Sequence, residues 1–600
     1  MNTTESCDTD VATDTVGEPP TGAGLPTPVA ALTVLTAATL AACGGGGSSE
    51  APAVMPTTQP TTPPTTPPTS PPAEAQPTAA EASRFLAQAS MGANRSHINR
   101  VQAVGYAAWL DEQFNLPASS SRWDWLVAQG YYADSTNVNT QAGFDSCAWA
   151  HLLSAPDTLR ERVTLALSEL FVVSVSSINA SWKSFGGAAF ADLLQANAFG
   201  NFRVLLQKVS TSVQMGAYLT FLNSKKADPV SGALPDENYA RELMQLFTIG
   251  LQVLELDGTP KLSGGKPMDT YALGDITGLA RVFTGWTYDF AGAAVPKATP
   301  DYHRRPMIQN ARNHETGAKT FLGTTIPAGT PGEASLTLAL DHIFLHPNLG
   351  PFVCRQLIQR LITSNPSPAY VARVATVFND DGSATAPAPA PAPAPALARR
   401  GNLRAVLRAL LLDPEARSAA AAATGSGKLR EPMLRFSAWA RAYNVSSPSN
   451  AWRVGDTTNP ATALGQSPLR SASVFNFFRP GYVPPNTEIA AASWVAPEFQ
   501  ITNESSVIGY LNFMKRAVAG TVGDLTPDYS SLMPLADDAA ALLAEINLVL
   551  AAGALPAETT LKDLIAAVQT MAKGDDTARR NRIHAAVLLV LAAPEFIVQK

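Results

Sequence analysis

Apolar residues recur with helical spacing through most of the chain after residue 82. Between Asp157 and Ile178, for example, Leu159, Val163, Leu167 and Leu170 fall on one side of a helix drawn at 3.6 residues per turn. This period predicts amphipathic helices. The same pattern recurs in Phe202–Leu222, Thr270–Trp286, Glu333–Leu345, Pro351–Thr363, Ala369–Phe378, Leu403–Leu412, Glu431–Tyr443, Ser505–Ala517, Asp537–Ala551, Thr560–Met571 and Thr577–Val590.

Strand signals are few. Leu251–Leu262 alternates apolar and polar residues around Asp257-Gly258, which is typical of a hairpin turn. The predicted fold class is therefore mainly α: a large multi-helix globular body with two lobes and at most a small β-hairpin element.

The segment Asp236–Gly250, DENYARELMQLFTIG, separates into two faces when drawn as one α-helix. Asp236 stands at the N-cap position and Gly250 at the C-terminal stop. The apolar arc holds Tyr239, Leu243, Met244, Leu246 and Phe247, and the polar strip holds Asn238, Arg241, Glu242 and Gln245. Such a strip is either a solvated surface or a buried polar network that forms a site.

Composition limits the partners and the redox state. Six hundred residues exceed one hydrophobic core, so two or more lobes are expected. A charged fraction of 15% with net charge −6 argues against nucleic-acid binding, which needs a basic surface. Cys7 and Cys43 precede the folded region, so Cys147 and Cys354 are predicted to be buried free thiols, with one bridge between them as the alternative.

The N-terminus is typical of an exported lipoprotein. Val29–Ala42 is an uncharged apolar run that ends at Leu40-Ala41-Ala42-Cys43, which resembles a lipobox. We predict a signal peptide over 1–43, with lipid on Cys43, and a Gly/Ser then Thr/Pro tether over 44–79. Gly44 after the cysteine favours the outer membrane, so the expected location is the cell envelope, on the outer membrane or facing the periplasm. Because no Lys or Arg precedes Arg84, the alternative is a chain that is not exported and has a low-complexity head.

An Ala-Pro tract interrupts the body, because proline removes backbone donors and fixes φ. We divide the body there, into an N-terminal helical lobe over 80–385, a linker or insertion over 386–399 and a C-terminal helical lobe over 400–600.

The candidate chemistry centres on the polar strip and three histidines. Glu242 is a candidate general base, and Arg241 and Arg281 present planar forks that suit a carboxylate, sulfate or phosphate. His342 and His346 are four residues apart, a spacing that suits a divalent metal, but Pro347 favours a role for His346 at a helix end. The sequence does not identify a cofactor. The catalytic candidates are Glu242, His314 and His346, the ligand-binding candidates are Asn238, Arg241, Arg281, Trp286 and Lys319, and the metal candidates are His314, His342 and His346.

Several blocks together resemble the bacterial family labelled domain of unknown function 1800. They are ASRFLAQASMG and VGYAAWLDEQF within Ala82–Phe114, ENYARELMQLFTIGL at Glu237–Leu251, ARVFTGW at Ala280–Trp286, HETGAKTFLG at His314–Gly323, the block His346–Val374, SVFNFFRPGYVPP at Ser473–Pro485 and the terminal APEFIVQK. The resemblance implies a largely helical, commonly exported protein without an established activity. Its members often occur beside a sulfatase-like family of exported proteins, which implies a protein partner.

The resemblance places Asn238, Arg241 and Glu242 on one helix and includes His314, Lys319 and His346 in other blocks, but it implies no catalytic role for them. This chain has His314-Glu315 where the family often has histidine–aspartate, and the Ala-Pro tract is peculiar to it.

Three functions are compatible with these features. The leading prediction is a lipid-anchored envelope protein that binds a partner, such as a sulfatase-like exported protein, or an envelope polymer. The first alternative is an envelope hydrolase or metal-assisted enzyme centred on Glu242, Arg241, His314 and His346. The second alternative is a structural assembly factor.

Overall fold

The structure is a computed structural model that describes residues 76–295, 297–383, 399–418 and 425–600. The predicted signal peptide with Cys43, the tether up to residue 75, and residues 386–398 of the predicted linker lie outside the described residues.

Helices dominate the described residues, which confirms the mainly α class. They are α1 Ala79–Ala89, α2 Arg95–Asn115, α3 Arg122–Ala128, α4 Phe144–Ser154, α5 Thr158–Leu170, α6 Lys183–Ala196, α7 Phe202–Ser210, α8 Val213–Tyr218, α9 Asn238–Glu242, α10 Leu273–Ala280, α11 Gly332–Leu345, α12 Leu349–Leu361, α13 Pro368–Asn379, α14 Leu403–Leu412, α15 Pro414–Arg417, α16 Pro432–Ala442, α17 Glu488–Ala491, α18 Glu504–Val518, α19 Ala539–Ala551, α20 Lys562–Gln569, α21 Asp576–Ala592 and α22 Pro594–Ile597.

The strands form four short antiparallel pairs in the described residues. They are β1 Leu262–Ser263 with β2 Lys266–Pro267, β3 Trp286–Thr287 with β4 Ile308–Gln309, β5 Lys319–Phe321 with β6 Thr324–Ile326, and β7 Lys428–Leu429 with β8 Val598–Gln599. The predicted turn at Asp257-Gly258 is present, since Gly258 has φ 78° and the Asp257 carboxylate accepts from the Thr259 amide. It closes an isolated bridge between Leu254 and Pro260 rather than a longer ladder.

Three predicted helices are shorter than their apolar patterns. The pattern over Thr270–Trp286 forms an α-helix only over Leu273–Ala280, which continues as a 3-10 turn over Arg281–Phe283. The pattern over Asp157–Ile178 continues beyond Leu170, where the α5 helix ends. The pattern over Phe202–Leu222 divides into α7 and α8, because the Ser212 hydroxyl accepts from the Met215 amide and so caps a new helix. Side-chain capping therefore overrides the continuous apolar period here.

Buried apolar side chains form two clusters. The larger draws on residues between Ala82 and Ala416, and the smaller joins α16, α18, α19 and α21 to part of α4. Cys147 and Cys354 are buried and free, as predicted. Burial raises the pKa of both thiols well above the ordinary value, so both remain protonated, apolar core groups.

Close backbone packing positions the middle of the chain. Helix α10 lies so near strand β5 that a Cβ on Gly278 would stand 1.7 Å from the Thr320 carbonyl oxygen, which only glycine tolerates. Among the described residues, no helix is both long and apolar enough to cross a membrane.

Candidate functional site

The Asp236–Gly250 segment is not one α-helix, and the prediction of a continuous helix was wrong. It is α-helical over Asn238–Glu242 and then a π-helix over Leu243–Thr248. The Thr248 hydroxyl donates to the Leu243 carbonyl, five residues earlier, and Gly250 ends the segment with φ 72°. The wider turn brings Gln245 and Leu246 to a half-buried position, and single π-turns of this kind are frequent at functional sites.

Glu242 lies at the junction of the two helix types. Its carboxylate is buried, and its Oε2 has no hydrogen-bond partner among the described residues. Burial raises the pKa of Glu242 above its ordinary value, although Arg241 opposes this shift. Burial and the negative charge of Glu242 in turn raise the pKa of Tyr271. An unpartnered buried carboxyl group with a raised pKa is a candidate proton donor.

Arg241 and Asn238, two further residues of the polar strip, are at least partly exposed to solvent. The Arg241 guanidinium lies 3.4 Å from the Glu237 carboxylate on the same helix, with two-fifths of its side chain exposed. Asn238 donates to the Thr220 hydroxyl at 3.4 Å. The carboxylate of Asp236 accepts from the Asn238 amide, but Glu237 occupies the N-cap position, so the prediction of Asp236 at the N-cap was wrong by one residue.

The structure brings a second set of predicted residues together between α10 and β5. The His314 Nδ1 lies 3.0 Å from the Thr284 carbonyl oxygen, and Arg281 donates to the Ala318 carbonyl at 3.4 Å. Lys319 is fully buried and donates to the Gly317 carbonyl, and burial lowers its pKa. Trp286 is buried beside them in β3, and its indole nitrogen lacks a hydrogen-bond partner in the described residues.

The histidine pair lies at the end of α11. The His342 Nε2 is 2.9 Å from the Leu322 carbonyl oxygen, and the His346 Nδ1 accepts from the Asn348 amide. Burial lowers the pKa of His346 to about 4, and the neighbouring His342 and Arg400 act in the same direction. Within the described residues, no group of three or more His, Cys, Asp or Glu side chains is arranged to hold a metal ion. Among the described residues, no hydrogen bond or ion pair joins Glu242, His314 and His346 to one another. His314 interacts with Thr284, and His346 with Asn348.

The π-helix forms one wall of a cleft of about 790 Å³. This volume lies within the range of ligand-binding clefts. The residues that line the cleft are Gln245, Leu246, Gly250, Leu251, Gln252, Leu254, Gly258, Phe352, Arg355, Gln356, Gln359, Phe475, Arg479, Pro480, Gly481, Tyr482, Val483, Val495 and Gln500.

A buried asparagine organises the first wall. The Asn348 side chain donates to the Ile249 and Gln252 carbonyls and accepts from the Leu254 amide, so it ties the segment after the π-helix to the start of α12. The Phe352 ring lies against the backbone of Gly250, where a Cβ would stand 2.9 Å from the ring. Positive φ and this close contact together require glycine at 250.

The opposite wall is the loop over residues 475–500. Asn365 exchanges two hydrogen bonds of 2.9 Å with the Val495 backbone, which fixes the loop beside α12. The Arg479 amide donates to Gln500 Oε1 at 2.8 Å, and the Arg479 guanidinium lies 4.7 Å from the centre of the Phe475 ring. Both walls are therefore held by hydrogen bonds within the protein.

Most of the cleft residues are not among the candidates that the sequence pattern indicates. Gln245 belongs to the predicted polar strip, but Arg355, Gln356 and Arg479 were only part of the motif blocks. One signal was available for α12: its polar residues Arg355, Gln356 and Gln359 interrupt an apolar helix at neighbouring positions. For Arg479 no local signal existed, because its loop reaches the cleft only through tertiary contacts.

Comparison with known proteins identifies the family. A family model described as protein of unknown function (DUF1800) matches residues 84–598, so the chain belongs to this family. No curated protein and no solved structure gives a significant match. Evidence for the function of this protein therefore comes from its own sequence and structure.

Proposed function

We propose that this protein is a lipid-anchored component of the bacterial cell envelope that binds a partner protein or a surface polymer in the cleft. The cleft is the observation that supports this proposal. It is larger than four other cavities in the described residues and unites three motif blocks, the segment Glu237–Leu251, the start of α12 and the Ser473–Pro485 loop.

The chemistry of the lining favours binding over catalysis. Two arginines, five glutamines, aromatic rings and aliphatic side chains line the cleft, and the lining among the described residues includes no aspartate, glutamate, histidine, lysine, serine or cysteine. General acid–base and nucleophilic catalysis rely mainly on such groups within reach of the substrate, and among the described lining residues only Tyr482 is of another type that these reactions use. An apolar surface with a few fixed polar groups is typical of a recognition site.

Exposed apolar side chains allow a test that leaves the core intact. Leu251 and Val483 lie on opposite walls, 55% and 37% exposed. We expect the full chain to capture a partner from native envelope extracts, and the double variant Leu251→Glu/Val483→Glu to lose it. The matched control is Leu338→Glu/Ile508→Glu, which alters two exposed apolar residues outside the cleft lining. Equal capture by both variants would contradict binding in the cleft and would favour the structural assembly role.

The anchor has a separate test. Changing Cys43→Ala should move the protein from the membrane fraction to the soluble fraction, because the lipid would have no attachment site. Cys7→Ala is the matched control, since this cysteine precedes the proposed cleavage site. An unchanged membrane fraction for Cys43→Ala would refute lipidation at this residue.

Glu242 supports the second candidate function, an envelope hydrolase. Its unpartnered, buried carboxyl group lies one helical turn from Gln245, and the Tyr271 hydroxyl donates to Gln245 Oε1 at 3.3 Å. This contact connects the surroundings of Glu242 to the edge of the cleft. If the protein is a hydrolase, Glu242→Gln should abolish turnover of ester and glycoside substrates while the variant still binds in the cleft, and full activity of the variant would exclude the role.

A further inference from the structure

Two glutamines of the cleft, Gln356 and Gln500, each keep an amide donor free. Gln356 Oε1 accepts from Arg360 Nη1, and Gln500 Oε1 accepts from the Arg479 amide. Since a guanidinium and a backbone amide can only donate, the side-chain oxygen of each glutamine must be the atom that accepts. The NH₂ groups of Gln356 and Gln500 have no hydrogen-bond partner among the described residues. Each wall of the cleft therefore offers a fixed amide donor.

The two arginines of the cleft add charged donors without a counter-charge. Arg355 donates to the Gly258 carbonyl at 3.3 Å, and Arg479 lies on the Phe475 ring. Neither forms an ion pair with a carboxylate in the part of the chain that the structure describes, whereas Arg203 and Arg373, for example, both do. A ligand for this cleft must therefore bring hydrogen-bond acceptors and negative charge.

Aliphatic side chains also line both walls of the cleft. Leu246, Leu251 and Leu254 lie on the first wall, and Val483 and Val495 on the second. Of the three aromatic rings in the cleft lining of the described residues, two are partly occupied, since Arg479 covers one face of Phe475 and Phe352 packs on Gly250, which leaves Tyr482 for stacking on a sugar ring. Aliphatic side chains therefore favour a ligand with apolar side chains over a polysaccharide.

The donors on the two walls also favour a peptide over a lipid. An acyl chain has no acceptors along its length, so the amide donors of Gln356 and Gln500 would lose water without gaining a hydrogen bond. An extended peptide presents a carbonyl oxygen about every 3.3 Å and alternates its side chains between two faces. Its carbonyls suit the glutamine donors, its apolar side chains suit the leucines and valines, and its carboxylates suit the arginines.

We infer that the cleft recognises an extended acidic segment of a partner protein, in which carboxylate side chains alternate with aliphatic ones. This inference rests on the proposed function, since it names the chemistry of the partner bound in the same cleft. Arg355 and Arg479 would bind the carboxylates, and the amide groups of Gln356 and Gln500 would bind the backbone carbonyls.

The test uses a labelled peptide of about nine residues that alternates leucine and glutamate, a length chosen for an extended chain. Fluorescence anisotropy measures its affinity for the full chain, beside counterparts with glutamine or lysine in place of glutamate. We expect the glutamate peptide to bind at least about ten-fold more tightly than either counterpart, and Arg355→Gln/Arg479→Gln to remove that preference. Arg100→Gln/Arg579→Gln is the matched control, because both arginines lie outside the cleft lining, with 56% and 35% of their side chains exposed.

A double-mutant cycle sharpens the result. Because the charge pairs form only when both sides are present, the glutamine peptide should bind the wild-type chain and the Arg355→Gln/Arg479→Gln variant equally well. The inference is overturned if glutamate and glutamine peptides bind equally to the wild type. It is also overturned if vesicles of anionic phospholipid or an acidic polysaccharide bind the chain in an arginine-dependent way while the glutamate peptide does not bind.

These outcomes separate the inference from the proposed function. If Leu251→Glu/Val483→Glu abolishes partner capture from the envelope but the glutamate peptide does not bind, the cleft binds a partner of different chemistry and only the inference fails. If this variant captures the partner normally, the proposed function fails together with the inference.

Discussion

Cationic side chains occupy two adjoining regions of the molecule in opposite ways. In the buried ion cluster, which consists of Glu169, Arg360, Lys428, Glu431 and Glu498, the cations face carboxylates. The Lys428 Nζ lies 2.9 Å from Glu498 and 3.4 Å from Glu431, and the Arg360 Nε lies 3.7 Å from Glu169. In the cleft, Arg355 and Arg479 have no carboxylate partner among the described residues. Arg360 connects the regions, since its Nη1 donates to Gln356 on the cleft wall.

The pKa shifts in the buried ion cluster show how strongly its charges depend on one another. Burial and the adjacent Glu431 carboxylate raise the pKa of Glu169 well above its ordinary value. Burial alone would also raise the pKa of Glu431, but Lys428 and Arg162 outweigh it and lower the value to about 2. The two neighbouring carboxyl groups therefore differ: the pKa of Glu169 is raised, and that of Glu431 is lowered.

The contrast between the buried ion cluster and the cleft shows which charged side chains stabilise the fold. A buried ion whose partner is removed destabilises the protein, because an uncompensated charge remains in a medium that solvates it poorly. A partly exposed arginine with no carboxylate partner contributes little to stability and remains available to a ligand. Stability measurements should therefore separate the two regions.

The largest expected effect comes from breaking the buried ion cluster. Lys428→Met leaves Glu431 and Glu498 without their nearest cation, so the free energy of unfolding should fall by about 3–5 kcal/mol. Urea denaturation followed by circular dichroism measures this change. Lys515→Met, at an exposed position, is the control and should change the value by less than about 0.5 kcal/mol. Equal effects of the two substitutions would refute the distinction between paired and unpaired cations.

The next largest effect on the free energy of unfolding is expected at Glu161, a second buried carboxyl group, and it should depend on pH. Burial would raise the pKa of Glu161, but Arg122 and His151 outweigh it and lower the value to about 2. A lowered carboxyl pKa stabilises the fold above the unfolded value of 4.5, and this contribution disappears as the pH falls from 4.5 towards 2. Glu161→Gln should therefore lower the free energy of unfolding by about 3 kcal/mol at pH 6, with a gap that narrows below pH 4.5.

Denaturant titrations of both proteins between pH 6 and pH 3 measure that gap. The groups that face Glu161 are Arg122, His151 and Gln195, and Asp192 also faces Arg122. A gap that is constant over this range would contradict a charged Glu161 in the folded protein.

The smallest expected effect is on the cleft. Arg355→Gln/Arg479→Gln should change the free energy of unfolding by less than about 1 kcal/mol, because no ion pair is lost. Relief of unpaired charge offsets the lost hydrogen bond from Arg355 to the Gly258 carbonyl. Thermal and urea denaturation give the measurement. A loss as large as that of Lys428→Met would instead show that the cleft arginines stabilise the fold.

The sequence predicted local features more accurately than the site. Periodicity located α11, α12, α13 and α14 to within about two residues, because each buries one apolar stripe whatever its neighbours are. It did not predict the π-helix over Leu243–Thr248, since the apolar pattern of the segment also fits an α-helix. The sequence pattern indicated His314 and Lys319, which interact with each other. It also indicated His346, whose side chain instead accepts a hydrogen bond from the Asn348 amide.

By itself, the sequence determined the helical class, the burial of Cys147 and Cys354, and membership of the family, because apolar periodicity and ordered motifs are local properties of the chain. The tertiary structure alone decided which polar residues meet. Asn365 fixes the Val495 loop, and Lys428 pairs with Glu498 at 2.9 Å, although long stretches of chain separate each pair. Hydrogen bonds and Coulomb interactions act over a few ångströms in space, so spacing along the chain carries no record of such pairs.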